Sequence, residues 1–203
     1  MIMIDQHQIT GLLLAGGLGT RMGRVDKGLQ VFRNMPLARH VLMRLAPQVG
    51  AVIINANQNV DQYQAFSYPV LSDQMAGFAG PLAGLQTGLQ HCQTPYLLSV
   101  PCDSPLLPLN LVARLSEGLI VNDADLAVAV TLESENGVSY RQRHPVFALM
   151  KLSVLPGLND FLNGGGRKVD AWFQQLAVAE VLFEDHSGFA NINTLQELKQ
   201  LES

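Results

Sequence analysis

Only two cysteines occur in the 203 residues, Cys92 and Cys102. They offer neither a disulfide framework nor a metal-binding pair, and two unpaired thiols suit a reducing interior. Charge is also sparse: Asp, Glu, Lys and Arg make up 15% of the chain and leave a net charge of −4. That balance speaks against a general nucleic-acid binder. No apolar run reaches the length of a membrane span. The apolar stretch at 9–15 has no basic segment before it and runs straight into glycines, unlike a secretory signal. The expectation is a soluble cytoplasmic protein that engages neither nucleic acid nor membrane. Repeats, low-complexity tracts and linkers are lacking too, so residues 1–203 read as one domain. With 48% hydrophobic residues, the chain has the length and composition to bury a sizeable core.

What is present begins with Leu12-Leu13-Leu14-Ala15-Gly16-Gly17-Leu18-Gly19-Thr20-Arg21-Met22-Gly23-Arg24-Val25-Asp26-Lys27-Gly28. An apolar run that stops at paired glycines reads as a buried strand opening onto a ligand. Glycines let backbone N–H groups converge on an anion. Arg21 adds a planar fork and Lys27 a point charge, so the expected ligand is a polyphosphate. The dinucleotide fingerprint fails, because Met22 stands where its third glycine is needed and Gly23 comes one residue late. The P-loop pattern fails as well, since Gly28 and Leu29 follow Lys27 in place of Ser or Thr.

The remaining pattern alternates strands with helices. Strands are expected at 9–15, 51–55, 68–72, 96–100, 126–132 and 144–150, and helices at 36–49, 81–91, from Pro108, and near 153–163, 168–176 and 194–201. Such alternation predicts an α/β fold with a mainly parallel sheet and helices on both faces. The polar segment 133–143 reads as a loop, and 163–168 as a second glycine-rich loop carrying Arg167 and Lys168.

Ligands of such sheets collect outside the carboxyl ends of the strands. The first four strands end in the glycine loop, in Asn55, in Asp73, and in Pro101-Cys102-Asp103. Asp103 is the metal candidate, because Mg²⁺ takes one or two carboxylates together with phosphate oxygens; a turn or cap aspartate is the competing reading. Asn55 suits a base edge or ribose, and Asp73 could accept from a base or ribose; each could equally serve a turn. Gly80-Pro81-Leu82-Ala83-Gly84 either brings backbone close to a base or simply joins a loop to a helix. Cys102 reads as a small buried residue and His144 as a structural histidine. Asn193 or Thr194 reads as the cap of a last helix.

Leu14-Ala15-Gly16-Gly17, Arg21-Met22-Gly23 and Asp26-Lys27 resemble the nucleotidyltransferases that activate sugars and cofactors. With Asn55-Ala56-Asn57, Asp73, 80–84, Pro101–Pro105, His144-Pro145 and Asn191-Ile192-Asn193-Thr194, the set resembles MobA-type molybdenum cofactor guanylyltransferases along nearly the whole chain. The resemblance implies a Rossmann-like nucleotidyltransferase fold and Mg²⁺-dependent transfer of GMP from GTP to molybdenum-molybdopterin, releasing pyrophosphate. It implies GTP contacts at Leu14, Ala15, Gly16, Lys27, Asn55, Asp73 and Asp103, to which the loop and helix-start readings add Gly17 and Gly80. Arg21, Lys27 and Asp103 are the expected catalytic residues, and Asp103 the metal ligand. Arg167, Lys168, Asn191 and Asn193 are candidates for the anionic pterin. The family usually has two glycines after the methionine, whereas Arg24 follows Gly23 here. Cytidylyl- or sugar-1-phosphate transfer, or a non-catalytic nucleotide-binding module, are the competing functions. The resemblance leaves room for proteins that deliver the pterin or receive the product.

Overall fold

The structure, a computed structural model, describes residues 4–15, 26–74, 80–135 and 137–192. Its strands are β1 (Ile9–Leu14), β2 (Val31–Phe32), β3 (Met35–Pro36), β4 (Ala51–Asn55), β5 (Val70–Leu71), β6 (Tyr96–Pro101), β7 (Leu126–Glu135), β8 (Val138–Lys151) and β9 (Val178–Phe183). Its α-helices are α1 (Leu37–Leu45), α2 (Val60–Gln64), α3 (Pro81–His91), α4 (Leu111–Val121), α5 (Leu155–Asn163) and α6 (Val169–Phe173). Seven strands form one sheet in the order β5-β4-β1-β6-β8-β7-β9, and β2 with β3 forms a separate small ladder. All neighbours in the large sheet are parallel except those of β8, which runs against both β6 and β7.

The apolar runs of β1 and β6 follow from burial on both faces. Along β1, Ile9 and Leu13 enter the core shared with α1 and α4, whereas Leu12 enters the core shared with α3 and α5. Along β6, Leu98 and Val100 point to the first core and Leu97 to the second. α3 lies close against β1 because two glycines face the sheet. A Cβ on Gly88 would stand 2.5 Å from Leu12 Cδ2, and one on Gly84 would stand 2.5 Å from Asn55 Oδ1.

The chain leaves β1 toward β4 on one side, while β6 stands on the other side of β1. Connections departing in opposite directions open a crevice outside the carboxyl ends of β1 and β6, the usual ligand position in open α/β sheets.

Several expectations from sequence are corrected. Residues 133–143 are not a loop: β7 and β8 stay paired through Thr131–Gln142, Glu133–Tyr140 and Glu135–Val138. Backbone ladder bonds are indifferent to the polarity of the side chains they carry. β9, β2, β3 and α2 were not anticipated. The helix expected at 36–49 divides into α1 and a 3₁₀ turn at Ala46–Gln48, where Pro47 is present. The strand expected at 68–72 pairs only at Val70–Leu71, the helix from Pro108 starts at Leu111, and the one at 168–176 spans Val169–Phe173. The helix expected at 194–201 lies outside the described residues.

Candidate active site

Backbone bonds bring the ends of three strands into register. Ala15 N donates to Asn55 O (2.8 Å), Cys102 N to Leu14 O (3.1 Å) and Ala56 N to Leu71 O (2.9 Å), extending β1, β6 and β4 one residue past their ladders. Lys27 follows on a 3₁₀ turn, Lys27–Leu29, and its Nζ reaches Asp103 Oδ2 at 3.3 Å across the crevice. Asp103 is 9% exposed. Burial pushes its carboxyl above the ordinary carboxylate range, and the Lys27 ammonium pulls it back down. A desolvated carboxylate so placed gains from further positive charge.

A second polar group forms at the ends of β4 and β5. Asp73 accepts from Asn55 Nδ2 on Oδ1 and from Asn57 Nδ2 on Oδ2, both at 2.8 Å, and its own N–H donates to Asn57 Oδ1 at 2.8 Å. Asn55 Nδ2 also donates to Leu71 O at 3.3 Å. Gly80 precedes α3 with φ +65°, a conformation that favours glycine. One turn further on, Gly84 packs against Asn55 and Leu14, which sets the start of α3 beside the same rim.

The chain's later part returns to this place. Ile192 N donates to Asp103 O (2.9 Å) and Ser104 Oγ to Asn191 Oδ1 (2.7 Å). Asn191 therefore stands beside the candidate metal ligand, through a serine the sequence reading had not singled out. Arg167 is placed differently. Its guanidinium donates to the carbonyls of Leu162 (2.9 Å) and Gly166 (2.6 Å), at the end of α5. Lys168 immediately precedes α6. Among the described residues no hydrogen bond joins Arg167 or Lys168 to Lys27, Asn55, Asp73 or Asp103. α5 follows the end of β8 and α3 leads into the start of β6, which pair at one edge of the sheet through Tyr96 and Lys151, so the two helices run antiparallel, linked by Gln86 Nε2 to Asn159 Oδ1 at 2.6 Å. That direction carries Arg167 and Lys168 back to the carboxyl side of the sheet.

Gly16, Gly17, Arg21, Arg24 and Asn193 lie outside the described residues. Cys102 is buried as expected, and burial together with the Asp103 charge pushes its thiol well above the ordinary range. His144 is held within the fold: Nε2 pairs with Thr131 Oγ1 at 2.9 Å and the ring stacks on Phe189. Besides Ser104, reading the sequence missed Asn59 and Tyr63, both bonded to Asp26. Asn59 leaves a trace in sequence, the alternation Asn55, Asn57, Asn59, and Tyr63 leaves none.

A family described as "MobA-like NTP transferase domain" matches residues 11–179. The molybdenum cofactor guanylyltransferase of Ralstonia nicotianae is 56% identical over 200 residues, covering 98% of each chain. The enzyme of that name from Bordetella petrii is 55% identical over 199 residues, covering 98% of this chain and 100% of its own. Among solved structures, molybdopterin-guanine dinucleotide biosynthesis protein A of Archaeoglobus fulgidus superposes with a TM-score of 0.74 at 20% identity, over 95% of this chain and 96% of that one. The 2-C-methyl-D-erythritol 4-phosphate cytidylyltransferase of Thermus thermophilus gives 0.70 at 15% identity, over 99% and 98%. These two share the Rossmann-like nucleotidyltransferase fold. The identities of half or more over full length decide the family: this chain belongs to the molybdenum cofactor guanylyltransferases, nucleotidyltransferases of molybdenum cofactor biosynthesis.

Proposed function

We propose that the chain transfers GMP from GTP to the terminal phosphate of molybdenum-molybdopterin, in the cytoplasm, releasing pyrophosphate. The observation that carries this reading is the Lys27–Asp103 pair across the crevice between β1 and β6, flanked by the Asn55–Asp73 group. One rim thus offers a cation for phosphates, a buried carboxylate for a metal, and amide and carboxylate groups for a base or ribose. The guanine itself is suggested by the names of the full-length relatives.

Asp103 suits Mg²⁺. It is a hard oxygen donor, buried, and incompletely compensated by Lys27. An ion held by one such carboxylate would take most of its ligands from phosphate and water. Bound there, Mg²⁺ would screen charge on the reacting and departing phosphates.

The acceptor phosphate attacks the α-phosphorus, a new P–O bond forms, the bond to the bridging oxygen breaks, and pyrophosphate leaves in line. No side-chain nucleophile is needed, so the protein contributes position and charge. Lys27 and Arg21 offset charge on the triphosphate, with backbone of Leu14, Ala15, Gly16 and Gly17 beside it. Asn55, Asp73 and the backbone at Gly80 hold the nucleoside. Asn191 and Asn193, with Arg167 and Lys168, take the pterin side.

The test is pyrophosphate release with Mg²⁺, molybdenum-loaded molybdopterin, and either GTP or CTP. Release with GTP that depends on the acceptor is expected. Release with CTP in place of GTP, or with neither, would overturn the proposal in favour of cytidylyl transfer or a non-catalytic binder.

A further inference from the structure

Asp26 precedes Lys27, and its side chain is unusually well held. Oδ1 accepts from Gly28 N (3.2 Å) and from Tyr63 OH (2.7 Å), and Oδ2 accepts from Asn59 Nδ2 (3.0 Å). The first bond caps the 3₁₀ turn that carries Lys27. The other two come from the cap of α2 and from its last turn, more than thirty residues away in sequence. Asn59 has φ +50° and occupies the cap position of α2, yet its side chain makes no bond to that helix and extends to Asp26 instead. Tyr63 is fully buried. Its hydroxyl lies where a Cβ on residue 28 would collide with it, so Gly28 is what admits the tyrosine to Asp26.

The same segment serves the nucleoside rim. Asn55 and Asn57 hold Asp73, Asn59 and Tyr63 hold Asp26, and Asn55 O receives Ala15 N. Residues 55–63 therefore grip Ala15 and Asp26, which flank residues 16–25 on either side.

We infer that Asp26 is the positioning residue for Lys27, clamped by Asn59 and Tyr63, so that the strand β4 to helix α2 segment sets both where the nucleoside rests and where the phosphate-facing cation stands. A lysine is a point charge on a flexible stem, and its aim depends on the backbone from which it springs. The clamp fixes that backbone with a charged acceptor taking three hydrogen bonds, stronger than neutral ones. The inference rests on the proposed transfer only in taking Lys27 to face phosphates.

Two variants remove the clamp with little other change: Asn59→Gly keeps the left-handed backbone, and Tyr63→Phe keeps the ring. Each is made alone and combined with Lys27→Met, and folding of each is checked by thermal melting. Binding of Mg²⁺-tripolyphosphate is measured by calorimetry, and kcat and KM for GTP by pyrophosphate release. Each clamp variant is expected to weaken tripolyphosphate binding and lower kcat/KM for GTP by about tenfold, with the KM for the pterin acceptor unchanged. On the Lys27→Met background, either clamp change is expected to cost less than about twofold more, because coupled sites are not additive. A clamp that merely stabilises the fold would lower the melting temperature and leave binding by the folded protein unchanged, which overturns the inference. Losses that multiply fully with Lys27→Met overturn it as well. Wild-type protein that releases no pyrophosphate from GTP overturns the proposed function instead, and the tripolyphosphate cycle still decides the clamp.

Discussion

Replacing Gly84 by alanine adds one methyl group to α3, and two effects of opposite sign follow. In a helix interior alanine is favoured over glycine by about 1 kcal/mol. Against that, the new Cβ would stand 2.5 Å from Asn55 Oδ1 and 2.7 Å from Leu14 Cδ2. Asn55 is buried and bonded to Asp73 and Leu71, so it yields only by loosening those bonds. Overpacking of this kind costs about 1–3 kcal/mol, so the net loss of stability is about 0–2 kcal/mol. Asn55 belongs to the proposed nucleoside rim and Leu14 to the proposed triphosphate side, and the KM for GTP is expected to rise about tenfold even where stability barely moves. Gly157→Ala is the control: it lies in α5, and a Cβ there meets nothing within 4 Å. That variant should gain about 0.5–1 kcal/mol and keep its KM. Urea denaturation and steady-state pyrophosphate release measure both quantities. Gly84→Ala that is stabilised like Gly157→Ala, with an unchanged KM for GTP, would refute the claim that close packing of α3 sets the position of Asn55.

Asp103→Asn keeps the volume and removes the charge; Mg²⁺-dependent transfer should fall by about 10²-fold or more with the cooperative melt intact, and near-normal turnover would remove Asp103 from the metal role. Arg167→Ala with Lys168→Ala should raise the KM for the pterin and leave that for GTP unchanged, and an unchanged pterin KM would confine Arg167 to holding the end of α5. Stability should fall with acidification in two stages, read from melting temperatures. Burial holds His144 below the ordinary histidine value, so folding resists its protonation and stability declines as pH drops below about 6.5. The Arg143 and Arg141 guanidiniums hold Glu180 below the ordinary carboxylate range, so its contribution persists above about pH 4.3 and is lost as pH falls further. A melting temperature flat from pH 7 to about pH 5 would refute the first stage, and Arg143→Ala should diminish the second.

The strands that carry the site were legible because β1, β4 and β6 are buried on both faces and read as mostly apolar runs. Asn55, Asp73 and Asp103 were legible for a related reason, since a polar residue at the end of such a run stands at the rim. β9 was not, although Val178, Val181 and Phe183 are apolar. Glu180 interrupts the run, and it is tolerated there because Arg143 and Arg141 answer it from β8. The β7–β8 hairpin was misread because its polar side chains, Glu133 and Gln142 among them, say nothing about the backbone bonds beneath. Arg167 looked like a free cation beside glycines, and only the folded loop shows its guanidinium on the carbonyls ending α5. Asn59 and Tyr63 could not be found from local pattern, because their partner Asp26 lies 33 and 37 residues away.

The reversed strand β8 divides the sheet into parts of different ancestry in the chain. β5, β4, β1 and β6 come from residues 9–101 and have Asn55, Asp73 and Asp103 at or just past their ends, whereas β8, β7 and β9 come from residues 126–183. Among the described residues, Asn191 and Ile192 return to Ser104 and Asp103 and stitch the later part onto the earlier rim. Outside Asn191 and Ile192, substitutions after residue 126 can therefore alter the surroundings of this rim without altering Lys27, Asn55, Asp73 or Asp103, the side chains proposed to face the nucleotide. On the proposed transfer, a fold wired this way lends itself to exchange of one substrate while the other is kept.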